Sequence, residues 1–474
     1  MPLVSRRFTA VDEAFAYLES FTNLERGSGH SVRSYRLDRM HALLDLFGNP
    51  ERAFRTIHLA GSKGKGSTAI YVASALAAAG EATGLYTSPH VSSYRERITL
   101  AGRFFPDELY VETINEIAAR IRDLDKDVLP ARGEPTTFEL LTLLGFLMFR
   151  EWGCSWAVIE TGIGGRLDAT NVVSPEMCLL TPVELEHTEL LGTTLQAIAG
   201  EKAGIIKEGV PVFAGYQTPE AKDVFAATAA LRNAPIRFLD EEVEEIQTAL
   251  SFEATEMKVR WRSGRSEAFH LAMPGDVQAE NAALAVLALR LLSEGDAIGP
   301  QPPGAGSPLG EEAIRAGLTV ARLPGRMEVI QTASGRIVLD GAHTPVSATR
   351  LLSSYRRLFP EPSVLIFGSV LGKDQEGMAS ALASAFRSIV ISTPGTFKKS
   401  DPQGVHAAFM AHNPAAVLVL DPAAALAEAV RLAQEGRAAA ATGSGCGDGS
   451  PLPILVTGSF YMVAEIRRLL VGPN

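Results

Sequence analysis

Hydrophobic positions along this chain follow three rhythms. Four short runs in the first half, 57–60, 83–87, 156–160 and 177–181, are apolar almost without interruption, the pattern of strands buried on both faces. Apolar residues at three- and four-residue spacing predict helices over 8–22, 36–47, 68–79, 136–150, 282–292 and 311–322, with a further helix opening at 199 and running toward Gly209. Gly48-Asn49-Pro50 stops the second of these. Over 247–273 the period shortens to two (Leu250 and Phe252, Val259 and Trp261, Phe269 and Leu271), which predicts a few antiparallel strands. Strand-like runs at 337–339, 364–367, 389–392, 417–420 and 454–457 then alternate with helical stretches. Two Gly/Pro-rich segments, 299–310 and 443–453, carry almost no core-forming residues and read as insertions.

The expected architecture is therefore α/β. A mostly parallel sheet with a small antiparallel one occupies residues 1–322, and a smaller Rossmann-like α/β domain occupies 323–474. A length of 474 residues suits two or three domains with large cores. The net charge of −10, with no Lys/Arg-rich block, argues against a nucleic-acid or membrane-surface partner. Cys154, Cys178 and Cys446 are too few and too scattered for a disulfide framework or a thiolate metal site. The first twenty residues lack a continuous apolar h-region, and the longest apolar stretch, 140–149, is too short to span a bilayer. A soluble cytoplasmic protein is expected.

Candidate chemistry concentrates in Ile57-His58-Leu59-Ala60-Gly61-Ser62-Lys63-Gly64-Lys65-Gly66-Ser67-Thr68. Strand, glycine loop and helix in that order make a phosphate cradle, because glycines let N–H groups turn toward an anion and a helix start adds partial positive charge. Lys65 would reach the outer phosphates, with a hydroxyl of Ser67 or Thr68 near Mg²⁺. The loop departs from the common P-loop rule at Leu59, where a Gly belongs, and at Gly66, where a hydroxyl residue belongs. A plain glycine turn is the competing reading. Other candidates also follow strand ends. Glu160 is a hard oxygen ligand or a surface charge, Ser88 a ligand or a turn residue, and His187 a metal ligand or a structural imidazole. Thr136 with Glu139, and Asn281, read equally as helix caps, and Lys202 as a solvated lysine.

The form Gly-x-x-Gly-Lys-Gly-Ser resembles the loop of folylpolyglutamate and dihydrofolate synthases, relatives of the Mur ligases. Further segments resemble the same family in the same order: Thr87-Ser88-Pro89-His90 before Tyr94-Arg95-Glu96-Arg97; Thr136-Thr137-Phe138-Glu139; Glu186-His187, where the family has Asp-His; and Glu201-Lys202-Ala203-Gly204. They continue with Asn281 before Ala-Ala-Leu-Ala, Leu323-Pro324-Gly325-Arg326-Met327-Glu328, Asp340-Gly341-Ala342-His343-Thr344, where the family has Asn at 344, and Gly458-Ser459. The most specific match is the long signature from Glu160 through Gly162, Gly164, Gly165, Arg166, Asp168 and Thr170 to Asn171. The resemblance runs roughly from Arg36 to Leu470.

The resemblance implies an ATP-dependent ligase that adds L-glutamate to a folate or dihydropteroate carboxylate through an acyl phosphate. It places Gly61, Gly64, Lys65, Gly66, Ser67, Asn281, Arg326 and Asp340 at ATP. It places Ser88 and Glu160 at one Mg²⁺, and His187 with a carbamylated Lys202 at a second; a monovalent cation is a further candidate. Arg36, Leu37, Thr136, Thr137, Phe138, Glu139, Leu167, Asp168 and Ala169 would meet the folate, and Lys65, Lys202, His187 and Arg326 would serve the chemistry. The implied partners are the small-molecule substrates ATP, L-glutamate and a reduced folate or dihydropteroate, and the family's usual state is a monomer. A Mur-type ligase of cell-wall synthesis shares the loop and the lysine, but the Gly162–Asn171 signature argues against it. A P-loop kinase or NTPase would leave Glu160, His187 and Lys202 unexplained. A nucleotide-binding protein without activity would be expected to have lost ligands, and none of the core set is missing.

Overall fold

Seven short strands build the first sheet: β1 (Arg55–Ala60), β2 (Thr83–Tyr86), β3 (Ile98–Leu100), β4 (Trp156–Glu160), β5 (Met177–Leu180), β6 (Val212–Ala214) and β7 (Ile236–Phe238). The structure is a computed structural model that describes residues 7–24, 36–122, 129–130, 133–294, 309–441 and 451–472. The polar segment 23–33, expected as a loop after the first helix, lies outside these residues from 25 onward, as do most of both Gly/Pro-rich insertions. The sheet order is β3-β2-β4-β1-β5-β6-β7, with every pair parallel except β2 with β3.

β1 is the middle strand, and both its faces are covered, as an uninterrupted apolar run requires. Ile57 and Leu59 pack with Ala69–Leu76 of the helix Lys65–Ala78 and with apolar residues of the helix Asp276–Glu294. The other face of the sheet meets the helix Thr137–Trp152, whose Phe146, Leu147 and Phe149 have no exposed surface. Each such side chain contributes about 1.5–3 kcal/mol by leaving water. That helix begins with a capping box, Thr136 Oγ1 accepting from Glu139 N while Glu139 accepts from Thr136 N, and ends on Gly153 in the left-handed region.

A three-stranded antiparallel sheet follows: β8 (Val243–Leu250), β9 (Thr255–Trp261) and β10 (Ser266–Leu271). β9 alternates buried and exposed residues along its length and turns Met257, Val259 and Trp261 into the first core. The third sheet contains β11 (Glu328–Thr332), β12 (Gly335–Leu339), β13 (Val364–Phe367), β14 (Ser388–Ile391), β15 (Val417–Leu418) and β16 (Ile454–Thr457). Its order is β11-β12-β16-β13-β14-β15, parallel except for the β11–β12 hairpin. Among the described residues no helix is long and apolar enough to cross a membrane.

Among the expected boundaries that move, three bear on the site. The helix expected from 68 starts at Lys65, because Gly64 at φ +86° ends the loop there. The one expected from 282 starts at Asp276, so Asn281 lies in its second turn and is not its cap. The one expected to run from 199 toward 209 spans Leu195–Ala203, started by Thr194, whose hydroxyl accepts from Ala197 N. Lys202 therefore lies in the last turn of that helix.

Parallel winding brings the C-terminal ends of β1, β2, β4 and β5 to one edge, and those of β12, β13 and β16 to the edge of the third sheet that faces it. Such edges are where open α/β sheets carry ligands. The segment after Ser88 crosses between the two: Val91 is buried in the third sheet's core, and Ser92 Oγ accepts from Arg467, itself paired with Glu328 at 3.0 Å.

Candidate active site

Residues from both edges line one cavity of about 360 Å³, within the range of small-molecule sites. Its floor is the glycine loop. Ser62 N and Lys63 N donate to Pro182 O, pinning the loop to the segment after β5. A side chain at Gly64 would meet Asn281 Oδ1 at 2.3 Å, so only glycine lets the loop lie against that helix. No side chain caps the helix that begins at Lys65, which leaves its first amides for an anion. Lys65 Nζ donates to Gly61 O at 2.9 Å and stands 3.9 Å from Glu160 Oε1. The two candidate hydroxyl residues separate here: Ser67 lines the cavity, whereas Thr68 is buried away from it, its hydroxyl without a partner among the described residues.

Glu160 and Ser88 come together as expected. Ser88 N donates to Glu160 Oε2 at 3.1 Å, and the carboxylate lies beside Gly66 of the loop. Burial raises the Glu160 pKa against the opposing pull of Lys65, the Ser88 amide, Arg326 and Arg97. Among the described residues no group of three or more His, Cys, Asp or Glu side chains gathers as a metal cluster. The carboxylate, the Ser88 hydroxyl and Ser67 are hard donors that fit a Mg²⁺ completing its shell from phosphate and water.

The second expected cation set differs. Lys202 is 1 % exposed, and its Nζ donates to Gly61 O and to Glu186 Oε1, each at 2.8 Å. Burial alone would raise the Glu186 carboxyl, but Lys202, Lys65 and Lys63 outweigh it and hold Glu186 well below the usual carboxylate range. His187 sits at φ +47° as the start of a short helix, and burial lowers its imidazole to about 4. A neutral imidazole beside an ammonium offers one donor, so His187 and an unmodified Lys202 do not fit a metal.

The far wall comes from the third sheet. Arg326 is half-buried with its guanidinium 4.2 Å over the Phe460 ring. Asp340 accepts from Met327 N and Ala342 N, both at 2.9 Å, and so shapes the turn that carries Arg326. His343 Nδ1 bonds Gly341 O and its Nε2 bonds Lys63 Nζ, each at 2.8 Å, across the cleft. Since a carbonyl only accepts, the hydrogen is on Nδ1 and Lys63 donates to Nε2. Burial lowers Lys63 to about 8. Thr344 caps the helix Pro345–Leu358 and donates to Glu184 Oε2 at 3.1 Å, so the hydroxyl there makes a second bond across the cleft.

Leu24, Phe138, Ile163, Leu167 and Ala169 give the cavity an apolar arm, and Arg36 and Thr136 also line it. Two expected contacts lie outside the lining: Leu37, and Thr137, whose hydroxyl instead donates to Phe21 O. Two lining carboxylates are already engaged. Glu139 pairs with buried Arg39 at 2.8 Å as well as capping its helix, and Asp168 accepts from Gly162 N, Ile163 N, Thr170 N and Thr170 Oγ1. Sequence reasoning gave no role to Lys63, Glu184, Glu186, Lys373 and Lys398, all of which line the cavity. Two of them carried a local signal, Lys63 as the second lysine among the loop glycines and Glu186 as the residue before His187, where the resemblance gives Asp.

Comparison with known proteins gives a consistent result. Residues 59–289 match the Mur ligase middle domain and residues 325–445 the Mur ligase glutamate ligase domain. The chain is 33% identical over 461 residues to a folylpolyglutamate synthase of Lacticaseibacillus casei, covering 97% of this chain and 98% of that one. It is 30% identical over 436 residues to a dihydrofolate synthase/folylpolyglutamate synthase of Bacillus subtilis, covering 92% and 94%. The structure of Mycobacterium tuberculosis folylpolyglutamate synthase complexed with ADP superposes with a TM-score of 0.82 at 27% identity, covering 97% of this chain and 99% of that one.

Proposed function

The chain belongs to the folylpolyglutamate synthase/dihydrofolate synthase family of Mur ligases, and from that premise we propose that it ligates L-glutamate to the carboxylate of a reduced folate or a dihydropteroate, converting ATP to ADP and phosphate. The observation that carries this reading is the meeting of three walls in one cavity: a phosphate loop, an apolar arm and a cationic face from the third sheet. An ATPase needs only the first.

An acid and an amine do not condense in water without activation. A carboxylate oxygen of the acceptor attacks the γ-phosphorus of ATP, ADP departs, and an acyl phosphate results. Lys65 and the loop amides hold the phosphate oxygens, and Arg326, already desolvated over Phe460, is placed to meet charge on the transferring group. Asn281 and Asp340 shape the nucleotide's surroundings, Asn281 against Gly64 and Asp340 through the turn of Arg326. A Mg²⁺ at Glu160, Ser88 and Ser67 would neutralise phosphate charge. Phe138 and Leu167 would offer the ring-bearing part of the acceptor an apolar wall, with Arg36 at the rim. The amine of glutamate, having lost its proton, then attacks the acyl carbon and phosphate leaves. Lys63, Lys373 and Lys398 give the approach of a dicarboxylic amino acid a cationic lining.

We also propose that Lys202 is a carbamylation site. Burial lowers its pKa, which favours the neutral amine that CO₂ requires. Intact-protein mass spectrometry in bicarbonate would show one added CO₂, absent from Lys202→Met.

The ligase reading is tested by phosphate release with Mg-ATP and L-glutamate, offering dihydropteroate and tetrahydrofolate separately. Turnover that requires glutamate, with a product heavier by one glutamyl residue, is expected. Equal release without glutamate would make the protein an ATPase. Silence with both acceptors would return attention to Mur-type substrates.

A further inference from the structure

We propose that His58 is a positioning residue for the acceptor pocket, acting through Thr170 and Asp168 on the loop from Gly162 to Ala169. The inference rests on the ligase reading, since it assigns a role within that site. His58 lies in the middle of β1 with no exposed surface, on the face of the sheet opposite Ile57 and Leu59. Its Nε2 is 2.9 Å from Thr170 Oγ1. Thr170 has one hydroxyl hydrogen and donates it to Asp168 Oδ1 at 2.6 Å. The Thr170 oxygen must therefore accept from the ring, so His58 is the Nε2–H tautomer. Its Nδ1 has no hydrogen-bond partner among the described residues.

An unpartnered ring nitrogen in a core strand costs free energy that a Val or Ile would not. The relay offers the compensation. Asp168 gathers four donors, of which Gly162 N at 2.9 Å and Ile163 N at 3.0 Å fix the start of the pocket wall. That wall lies hard against Phe138, where a side chain on Gly162 would come within 2.5 Å of the Phe138 ring. Leu167 and Ala169 continue it along the cavity. β1 thus serves both substrates: its end delivers the phosphate loop, and its middle braces the acceptor wall. The donor is also constant, because burial, with Lys207 adding to it, lowers His58 to about 3 and keeps the ring neutral.

The test uses the full chain and the variants His58→Met, His58→Gln and Thr170→Val. Met fills the volume without a donor, Gln returns an amide donor near the Nε2 position, and Val removes the relay hydroxyl. With tetrahydrofolate or dihydropteroate, whichever the wild type turns over, KM for the acceptor should rise roughly tenfold in His58→Met and in Thr170→Val, the size of one buried hydrogen bond. His58→Gln should recover most of that loss. KM for ATP should stay within about twofold, and the double variant should be no worse than either single one. Histidine ¹⁵N NMR of the wild type should show His58 as an Nε2–H ring that does not titrate between about pH 5.5 and 8.5. An Nδ1–H tautomer, an ordinary titration, or equal rises in KM for ATP and acceptor would overturn the proposal. If His58→Met does not fold, His58→Gln, Thr170→Val and the NMR signal still decide it. A wild type inactive with both acceptors would count against the ligase reading alone, and the tautomer would still judge the His58 bond.

Discussion

Replacing Glu186 by Gln strips the charge from the partner of a lysine that is 1 % exposed, with the carboxylate itself 8 % exposed. Removing one member of a buried ion pair costs roughly 3–5 kcal/mol, because the other charge stays desolvated. The variant has one exit, which is for Lys202 to give up its proton. Starting from an ordinary lysine, that costs about 4.6 kcal/mol at pH 7 and about 1.9 kcal/mol at pH 9, which sets a falling ceiling on the damage. The folded variant then binds fewer protons than its unfolded chain, so its stability rises with pH. Lys202→Met leaves a buried carboxylate instead, eased only in part by Lys65 and by Lys63 at 4.0 Å. Its exit is protonation, costing about 3.7 kcal/mol at pH 7 and about 1.6 kcal/mol at pH 5.5, so its stability falls as pH rises. We expect thermal and urea unfolding in CO₂-free buffer to show Glu186→Gln improving, and Lys202→Met deteriorating, from pH 6 to 9 relative to wild type. The double variant should lose less than the sum of the two. A Glu186→Gln loss below about 1 kcal/mol, or matching pH slopes in the two single variants, would refute the buried pair.

Three further outcomes follow from the geometry. Lys65→Ala should retain the fold and lose at least about a hundredfold in glutamate-dependent phosphate release, the scale of a removed electrostatic stabiliser; full activity would exclude Lys65 from the phosphate site. Gly64→Ala combines φ +86° with a 2.3 Å clash against Asn281 Oδ1, so ATP affinity measured by calorimetry should fall about tenfold or more, while an unchanged affinity would mean that the loop is not the nucleotide's seat. Arg467→Ala removes the donor to Ser92 and takes the cation from half-buried Glu328, which keeps the bond from Gly325 N. It should cost roughly 1–3 kcal/mol by urea unfolding, and less than about 0.5 would mean that this link carries no load.

What the sequence disclosed and what it hid divide along physical lines. β4 was legible to the residue because Trp156–Ile159 is an uninterrupted apolar run closed by Glu160, and the start of the helix Thr137–Trp152 was legible because its capping box is written locally. β6 and β7 span three residues each and β11 is half-exposed, so none presents a period long enough to detect. The apolar Ile205-Ile206 after Lys202 looked like continuing helix. The stop comes from outside the segment, where Gly204 lies against Arg166 closely enough that a side chain there would meet it at 2.3 Å. The site divides in the same way. Glu160 and Ser88 could be found because each follows a strand whose end is visible. The Lys202–Glu186 pair, the Lys63–His343 bond and the His58–Thr170 relay join residues 16, 280 and 112 positions apart, each a long-range partnership that no local pattern records.

The two kinds of information meet in β1. Its hydrophobic run predicted only a buried strand, in which His58 had no evident use. Once β4 and β5 flank it in parallel, the same strand carries a polar branch from its middle to the acceptor wall and a glycine loop from its end to the phosphate seat. A shift of the strand itself would move both seats, whereas loss of the His58 branch touches the acceptor wall alone. We therefore expect small apolar changes in β1, such as Leu59→Ala with its cost of about 2–5 kcal/mol, to weaken ATP and acceptor binding together. Phe138→Ala should weaken the acceptor alone, and parallel KM measurements on the two variants separate those outcomes. If Leu59→Ala raised only one KM, the two seats would be independent and the strand merely a shared support.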